Sequence, residues 1–379
     1  MSETAPLILD LGLVLLLAAL FGWVARRIGL PAVVGYLVAG LAVSPFTPGY
    51  VADSNQIALL ADIGVVILLF EVGIEVDIRH LGKRLRPLFW AVPLQVLISS
   101  ALSAGTFWML GLPLAGALLL GLGVSMSSSV VIVNITKSRR RTTNPETESA
   151  MLGWSVIQDI FAVALSLVVI SLIGESEVSP LAALGGVVAF FIFAVSIAQV
   201  IPRLLKVLQW ERDHFLIVSV AIGLAIAAVG SEFFGVPIAL AAFVAGLVIS
   251  DNKEMEEARA AILPFRDVFA VLFFVAVGSL INPLDLAPAA PIAFVTLLLV
   301  IISKVVPVYL MARASRVPAR PAQLAVGLGQ IGEFSFVLAT ISLSQGLMSQ
   351  DVYTGILCAV LLSIAGSAVA ARRVGPRTA

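Results

Sequence analysis

Cysteine and histidine are almost missing from this chain. Its 379 residues include one cysteine, Cys358, and two histidines, His80 and His214. One cysteine excludes an internal disulfide and a zinc cluster built on thiolates. Both histidines sit in charged stretches, which argues against a histidine metal centre, and no cofactor is expected. Charge is scarce as well: 12% of residues are Asp, Glu, Lys or Arg, against about 25% in a soluble domain. What replaces them is apolar. The hydrophobic fraction is 60% and the mean hydropathy +1.08. A soluble globule cannot hide that much apolar surface, so the chain is expected to be polytopic in a membrane.

Apolar stretches suited to spanning lie at about 6–25, 31–45, 57–73, 87–110, 113–136, 149–173, 181–201, 214–230, 235–250, 266–282, 288–311, 321–342 and 352–371. Thirteen spans place the intervening loops on alternating sides. One side then holds the loops near Asp53, Leu112, Glu175, Glu232, Asp285 and Asp351, with no lysine or arginine. Of the 23 basic residues, all but Lys304 fall on the other side. The positive-inside rule makes that side cytoplasmic, with the N-terminus outside and the C-terminus inside. A wrong helix count would scramble this partition.

The chain also repeats itself. Pro31 to Ser44 (PAVVGYLVAGLAVS) aligns with Pro237 to Ser250 (PIALAAFVAGLVIS) at an offset of 206 residues. The same offset lays Gly121-Leu122-Gly123 on Gly327-Leu328-Gly329, and Ser129 on Ser335. Seven spans, an odd number, separate the copies, so the copies face opposite ways in the bilayer. Inverted repeats of this kind are typical of secondary transporters with alternating access. The expected organisation is 1–173 as N-terminal spans and first repeat, 174–213 as linker helix and loop, and 214–379 as second repeat with a short cytoplasmic tail.

Two matched spans carry Gly and polar residues at mid-depth: GLGVSMSSSVVIVNI (Gly121 to Ile135) and GLGQIGEFSFVLATI (Gly327 to Ile341). Such segments mark discontinuous helices, whose open backbone must be satisfied by protein or by a water-filled cavity. Charge is buried nearby. Asp159 lies about 10 residues, or roughly 15 Å, from the cytoplasmic end of its span. Lys304 lies at similar depth. A charge at the bilayer centre costs at least about 2.5–3.5 kcal/mol, so the two are expected to partner each other, for function or for structure. Neither obeys the repeat: Asp159 maps onto Ala365 and Lys304 onto Ile98. Gln158 is open to two readings, a second ligand or an interhelix hydrogen bond. Glu333 either serves the site or neutralises helix ends. Glu71 is a candidate for the inward vestibule. Asp62 and Asp267 are read as structural, and Cys358 as packing.

These segments together resemble the Kef-type members of the cation:proton antiporter-2 family. The Gln158-Asp159 pair in WSVIQDIFAVAL matches the family's Gln-Asp signature. LAAFVAGLVISDN (Leu240 to Asn252), LFFVAVGSLINP (Leu272 to Pro283) and LLFEVGIEVD (Leu68 to Asp77) resemble its other segments. GQIGEFSFV (Gly329 to Val337) is similar to its Gly-Gln-Gly-Gly-Glu-Phe motif, with Ile331 in place of a glycine. SMSSSVVIVN (Ser125 to Asn134) is similar to the polar stretch of its first crossing helix, with Ser129 where a threonine is common. The resemblance implies a homodimer of thirteen-helix protomers exchanging K⁺ or Na⁺ for H⁺ at the aspartate. Electrogenic members carry Asp-Asp where this chain has Gln158-Asp159, which implies electroneutral exchange. Many members carry a C-terminal nucleotide-binding domain, so a separate or truncated cytoplasmic regulatory domain is a further expectation.

The sequence is thus read as an all-α membrane protein of thirteen transmembrane helices, with two inverted-topology repeats and two discontinuous crossing helices. Its function is read as monovalent cation/proton antiport in a bacterial inner membrane, K⁺ ahead of Na⁺, with no enzymatic activity and no nucleic-acid partner. Its partners would be the two ions, membrane lipid and a second copy. Asp159 would hold the cation or the proton. Hard cations take oxygen ligands, and Gln158, Ser128, Ser129, Asn134 and the broken-helix carbonyls supply them, with Lys304 and Glu333 close by. The rival readings are an ion channel, which lacks a filter-like repeated motif here, and a sodium-coupled solute symporter, which would need a larger polar cavity.

Overall fold

The computed structural model describes residues 4–47, 63–64, 66–67, 69–70, 73, 86–128, 131–132, 143–173, 180–207, 212–236, 238–249, 254–332 and 334–374. Every extended element among them is helical. In chain order they are α1 (Thr4–Arg27), α2 (Ala32–Ala42), α3 (Leu88–Met109), α4 (Leu114–Ser125), α5 (Pro145–Ile173), α6 (Pro180–Val207) and α7 (Arg212–Phe234). There follow α8 (Ile238–Ile249), α9 (Glu254–Ser279), α10 (Leu286–Leu299), α11 (Val306–Ala314), α12 (Pro321–Leu328), α13 (Phe334–Ser344) and α14 (Gln350–Val374). A π-helical turn, Val300–Val305, joins α10 to α11. Among the described residues, five stretches are long and apolar enough to cross a membrane by themselves: Ile8–Arg27, Leu88–Met109, Pro145–Ile170, Pro283–Ala314 and Gln350–Ala371.

One expectation about helix ends needs correcting. α9 starts at Glu254, not near residue 266, and takes in the charged segment EMEEARAAILPFRD. Hydropathy marks only the apolar part of a helix, whereas Glu, Met, Ala and Arg propagate it further. The fifth and twelfth spans are each interrupted, as their Gly and Ser content foretold. α4 ends at Ser125 and α12 at Leu328, and extended or irregular backbone follows each. The element bounds repeat at the offset read from the sequence: α2 moved by 206 residues begins at Ile238, where α8 begins.

The chain packs as two compact units. One comprises residues 1–23, 35–77 and 170–280, the other 24–34, 78–169 and 281–379. Each unit therefore draws on both halves of the sequence.

In the first unit, Val14, Ala18, Ala39, Val43, Leu272 and Val275 form a buried cluster where α1, α2 and α9 meet. Small residues let the last two approach closely, which is how helices associate without a hydrophobic driving force in lipid. A Cβ on Gly40 would lie 2.1 Å from the Val275 carbonyl oxygen, and one on Gly278 2.2 Å from that of Leu37. Ser44 completes the junction by donating from its hydroxyl to the Ser279 carbonyl at 2.8 Å.

The second unit holds both broken helices. α3 and α4 form an antiparallel hairpin in which Gly121 packs against the backbone of Ser100. α14 lies along α10, and Gly355 meets the Ala289 carbonyl there.

Candidate functional site

The two breaks lie against each other in the second unit. Past the end of α4 the backbone is extended at Met126, which frees carbonyls and amides that apolar surroundings would leave unsatisfied. The second break supplies their partners. Gly332 donates its amide to the Met126 carbonyl at 2.9 Å. Ser127 donates its hydroxyl to the Leu328 carbonyl at 2.8 Å. Gln330 acts as a two-sided clamp: its Oε1 accepts from the Ser128 amide, and its Nε2 donates to the Ser128 carbonyl, both at 3.1 Å. One side chain thus replaces the backbone bond that a continuing helix would have given the Ser128 amide, and adds a second donor at the Ser128 carbonyl, which also accepts from the Ile132 amide at 3.2 Å. Gly332 must be small, since a Cβ there would fall 2.8 Å from the Ser127 carbonyl carbon.

Lys304 enters this crossing from the π-helical turn. That turn buries Val300, Ser303 and Lys304 and leaves Ile301 and Ile302 exposed. The Lys304 side chain is fully buried, yet it is well provided for. Its Nζ donates to the Met126 carbonyl and, at 2.5 Å, to the Gln330 carbonyl. Those carbonyls follow the C-terminal ends of α4 and α12. Each such end carries roughly half a negative charge, so one ammonium answers both broken helices. A Coulombic interaction with Asp159 adds to this. The two backbone carbonyls are partners that similar depth in the membrane did not suggest.

Asp159 sits at the middle of α5 and is half-buried. Its helix lies against the first break. Ser155 reaches the Ser127 carbonyl at 3.5 Å, and Gln158 donates from Nε2 to the Ser125 carbonyl at 3.3 Å. Gln158 is fully buried and makes a stronger bond to Gln95 Oε1, at 2.6 Å. Its own Oε1 accepts no hydrogen bond among the described residues.

Of the candidates named from sequence, Asp159, Gln158, Lys304 and Ser128 are brought to one crossing. Ser129, Asn134, Glu333 and Glu71 lie outside the described residues, as does Asp62. Sequence reading missed Gln330, although it stands inside the quoted GQIGEF motif. A glutamine in the middle of a predicted break, where backbone bonds must be replaced, was the available signal. It also missed Gln95 and the π-helical turn.

Comparison with known proteins fixes the family. The profile of the transmembrane sodium/hydrogen exchanger family matches residues 14–372. The chain belongs to the sodium/hydrogen exchanger family. Members of this family are integral, multi-pass membrane antiporters of cations and protons, and this chain is one of them rather than an enzyme. One curated relative is YbaL of Escherichia coli (strain K12), named as a candidate cation/proton antiporter. It is 30% identical over 379 residues, covering 96% of this exchanger and 68% of YbaL. The fold matches a structure of the sodium proton antiporter MjNhaP1 from Methanocaldococcus jannaschii at pH 8, with a TM-score of 0.78 at 19% identity, covering 98% of both chains. A second MjNhaP1 structure, from electron microscopy, gives 0.69 at 17% identity, covering 97% of this exchanger and 95% of that chain.

Proposed function

We propose that this exchanger moves one monovalent cation, K⁺ ahead of Na⁺, against one proton by alternating access, with Asp159 as the group for which the two compete. The observation that carries this reading is a half-buried carboxylate at mid-helix, on a helix packed against the first break and in electrostatic interaction with a buried ammonium that binds both breaks. A carboxylate can hold a hard cation or a proton but not both at full strength. Lys304 compensates the charge of Asp159 when no cation is bound. Ser128, Ser129, Asn134 and Gln158 supply further oxygens, and Glu333 and Glu71 serve the site and its inward approach.

The Gln158-Asp159 pair supports Kef-type, electroneutral exchange and the preference for K⁺. The arrangement of basic residues supports an N-terminus outside and a C-terminus inside a bacterial inner membrane. The working form is a homodimer.

Proteoliposomes loaded with a pH-sensitive dye test the reading. K⁺ or Na⁺ should dissipate an imposed proton gradient, and choline should not. Asp159→Asn keeps the size of the side chain and removes its titratable group, so exchange should fall to background. Membrane insertion should survive, because an amide is cheaper than a carboxylate at mid-membrane. An equal response to choline would end the antiport reading. Unchanged exchange in a correctly inserted Asp159→Asn protein would remove Asp159 from it.

A further inference from the structure

Gln95 takes no part in the site as read so far, yet it controls a residue that does. It lies on α3, fully buried, and begins a polar stripe with Ser99 and Ser103 at four-residue intervals along one face of an otherwise apolar span. Its amide is engaged at both ends. Nε2 donates to the Ser99 hydroxyl at 2.8 Å. Oε1 accepts from the Trp154 indole at 3.1 Å and from Gln158 Nε2 at 2.6 Å. Ser99 passes the chain on to the Ser303 carbonyl, and Ser103 meets the Ser303 hydroxyl at 3.0 Å, one residue before Lys304.

The chemistry of these donors decides how each amide is turned. An indole N–H can only donate, so the Gln95 atom facing Trp154 must be oxygen. That oxygen requires a donor from Gln158, so the Gln158 atom at 2.6 Å is nitrogen. The same nitrogen donates to the Ser125 carbonyl at the first break. The Gln158 oxygen is then the end left without a donor among the described residues, in a fully buried side chain. Turned the other way, Gln158 would set its one oxygen against both the Gln95 oxygen and the Ser125 carbonyl. Trp154 and Gln158 sit four residues apart on α5, so a single acceptor on α3 can serve both.

We propose that Gln95 is a positioning residue for cation selection, acting by holding the Gln158 amide with its oxygen available as a cation ligand beside Asp159. This rests on the antiport reading above. Without the Gln95 oxygen, the Gln158 amide loses its anchor and can present its NH₂ group to the site instead. An NH₂ group repels a cation and favours the carboxylate as it stands. The effect therefore falls on cation affinity more than on the maximal rate.

The test uses the full chain in proteoliposomes, with exchange rate measured against K⁺ and Na⁺ concentration. Gln95→Met keeps length and burial but removes the acceptor. Its apparent KM for the cation should rise about tenfold, with the maximal rate within about twofold of wild type. Gln95→Glu restores an acceptor for both donors and should bring KM back toward wild type. Gln158→Met should raise KM by a similar factor. The double variant Gln95→Met, Gln158→Met should be no worse than Gln158→Met alone, since residues acting through one another are non-additive.

Independent, multiplying effects in that cycle would overturn the proposal, as would a fall in maximal rate at unchanged KM. Should Gln95→Met fail to insert, Trp154→Phe offers a milder route: it removes the donor that orients Gln95 and should raise KM in the same direction. An unchanged KM in inserted Trp154→Phe would equally overturn it. If wild type shows no cation-dependent proton movement, the antiport reading itself fails, and the two failures stay distinct.

Discussion

Lys304 shows how one residue can answer two demands. Its ammonium is the proposed counter-charge to Asp159, and it also holds the carbonyls of Met126 and Gln330 at the two breaks. Hydrogen bonds to a charged group are worth about 1.5–3 kcal/mol each, so the carbonyl contacts weigh as much as the pairing. Lys304→Met should therefore lower the melting temperature of the detergent-solubilised protein by several degrees. A double variant, Lys304→Met with Asp159→Asn, separates the two roles. If pairing were the whole of it, neutralising Asp159 would restore stability. The geometry predicts that stability stays low, because the carbonyls remain without their donor. Full recovery in a thermal-shift assay would reduce Lys304 to a counter-ion.

At the scale of elements, the broken helices are the part of the fold most legible in the sequence. Gly and Ser at mid-span, in matched positions of a repeat, signal that a helix cannot continue. The π-helical turn of Val300–Val305 left no such sign, since VIISKV reads as an ordinary apolar segment. Yet π turns occur often at functional sites, and this one turns Ser303 and Lys304 inward while Ile301 and Ile302 face out. Deleting Ile302 should relax the turn to a regular α-helix and rotate Lys304 by up to about 100° relative to α10. We expect exchange below a tenth of wild type in an inserted protein, with Ile302→Ala close to wild type as the control. Retained exchange in the deletion variant would show that the π winding is incidental.

For the whole molecule, the charge carried per cycle is the quantity to measure. Gln158 is neutral, and Asp159 is the one carboxylate proposed to serve both ions. One cation should then exchange for one proton. Na⁺-driven proton movement in vesicles should not change when a K⁺ diffusion potential is imposed through an ionophore. A rate that follows the imposed potential would require a second proton per cycle, with Lys304 as the group to carry it.

Hydropathy and an internal repeat were enough to establish the membrane class and the broken spans. Each depends on residue type and spacing along one stretch of chain, which the linear order preserves. The start of α9 at Glu254 was not read, because hydropathy stops where the apolar residues stop while the backbone hydrogen bonding continues. The Gln330 clamp, the two carbonyls held by Lys304, and the run from Trp154 through Gln95 to Gln158 were decided by tertiary structure alone. Those partners lie 26 to 202 residues apart. Which end of a buried amide faces a site depends on donors brought from other helices. No local pattern in the sequence encodes that orientation.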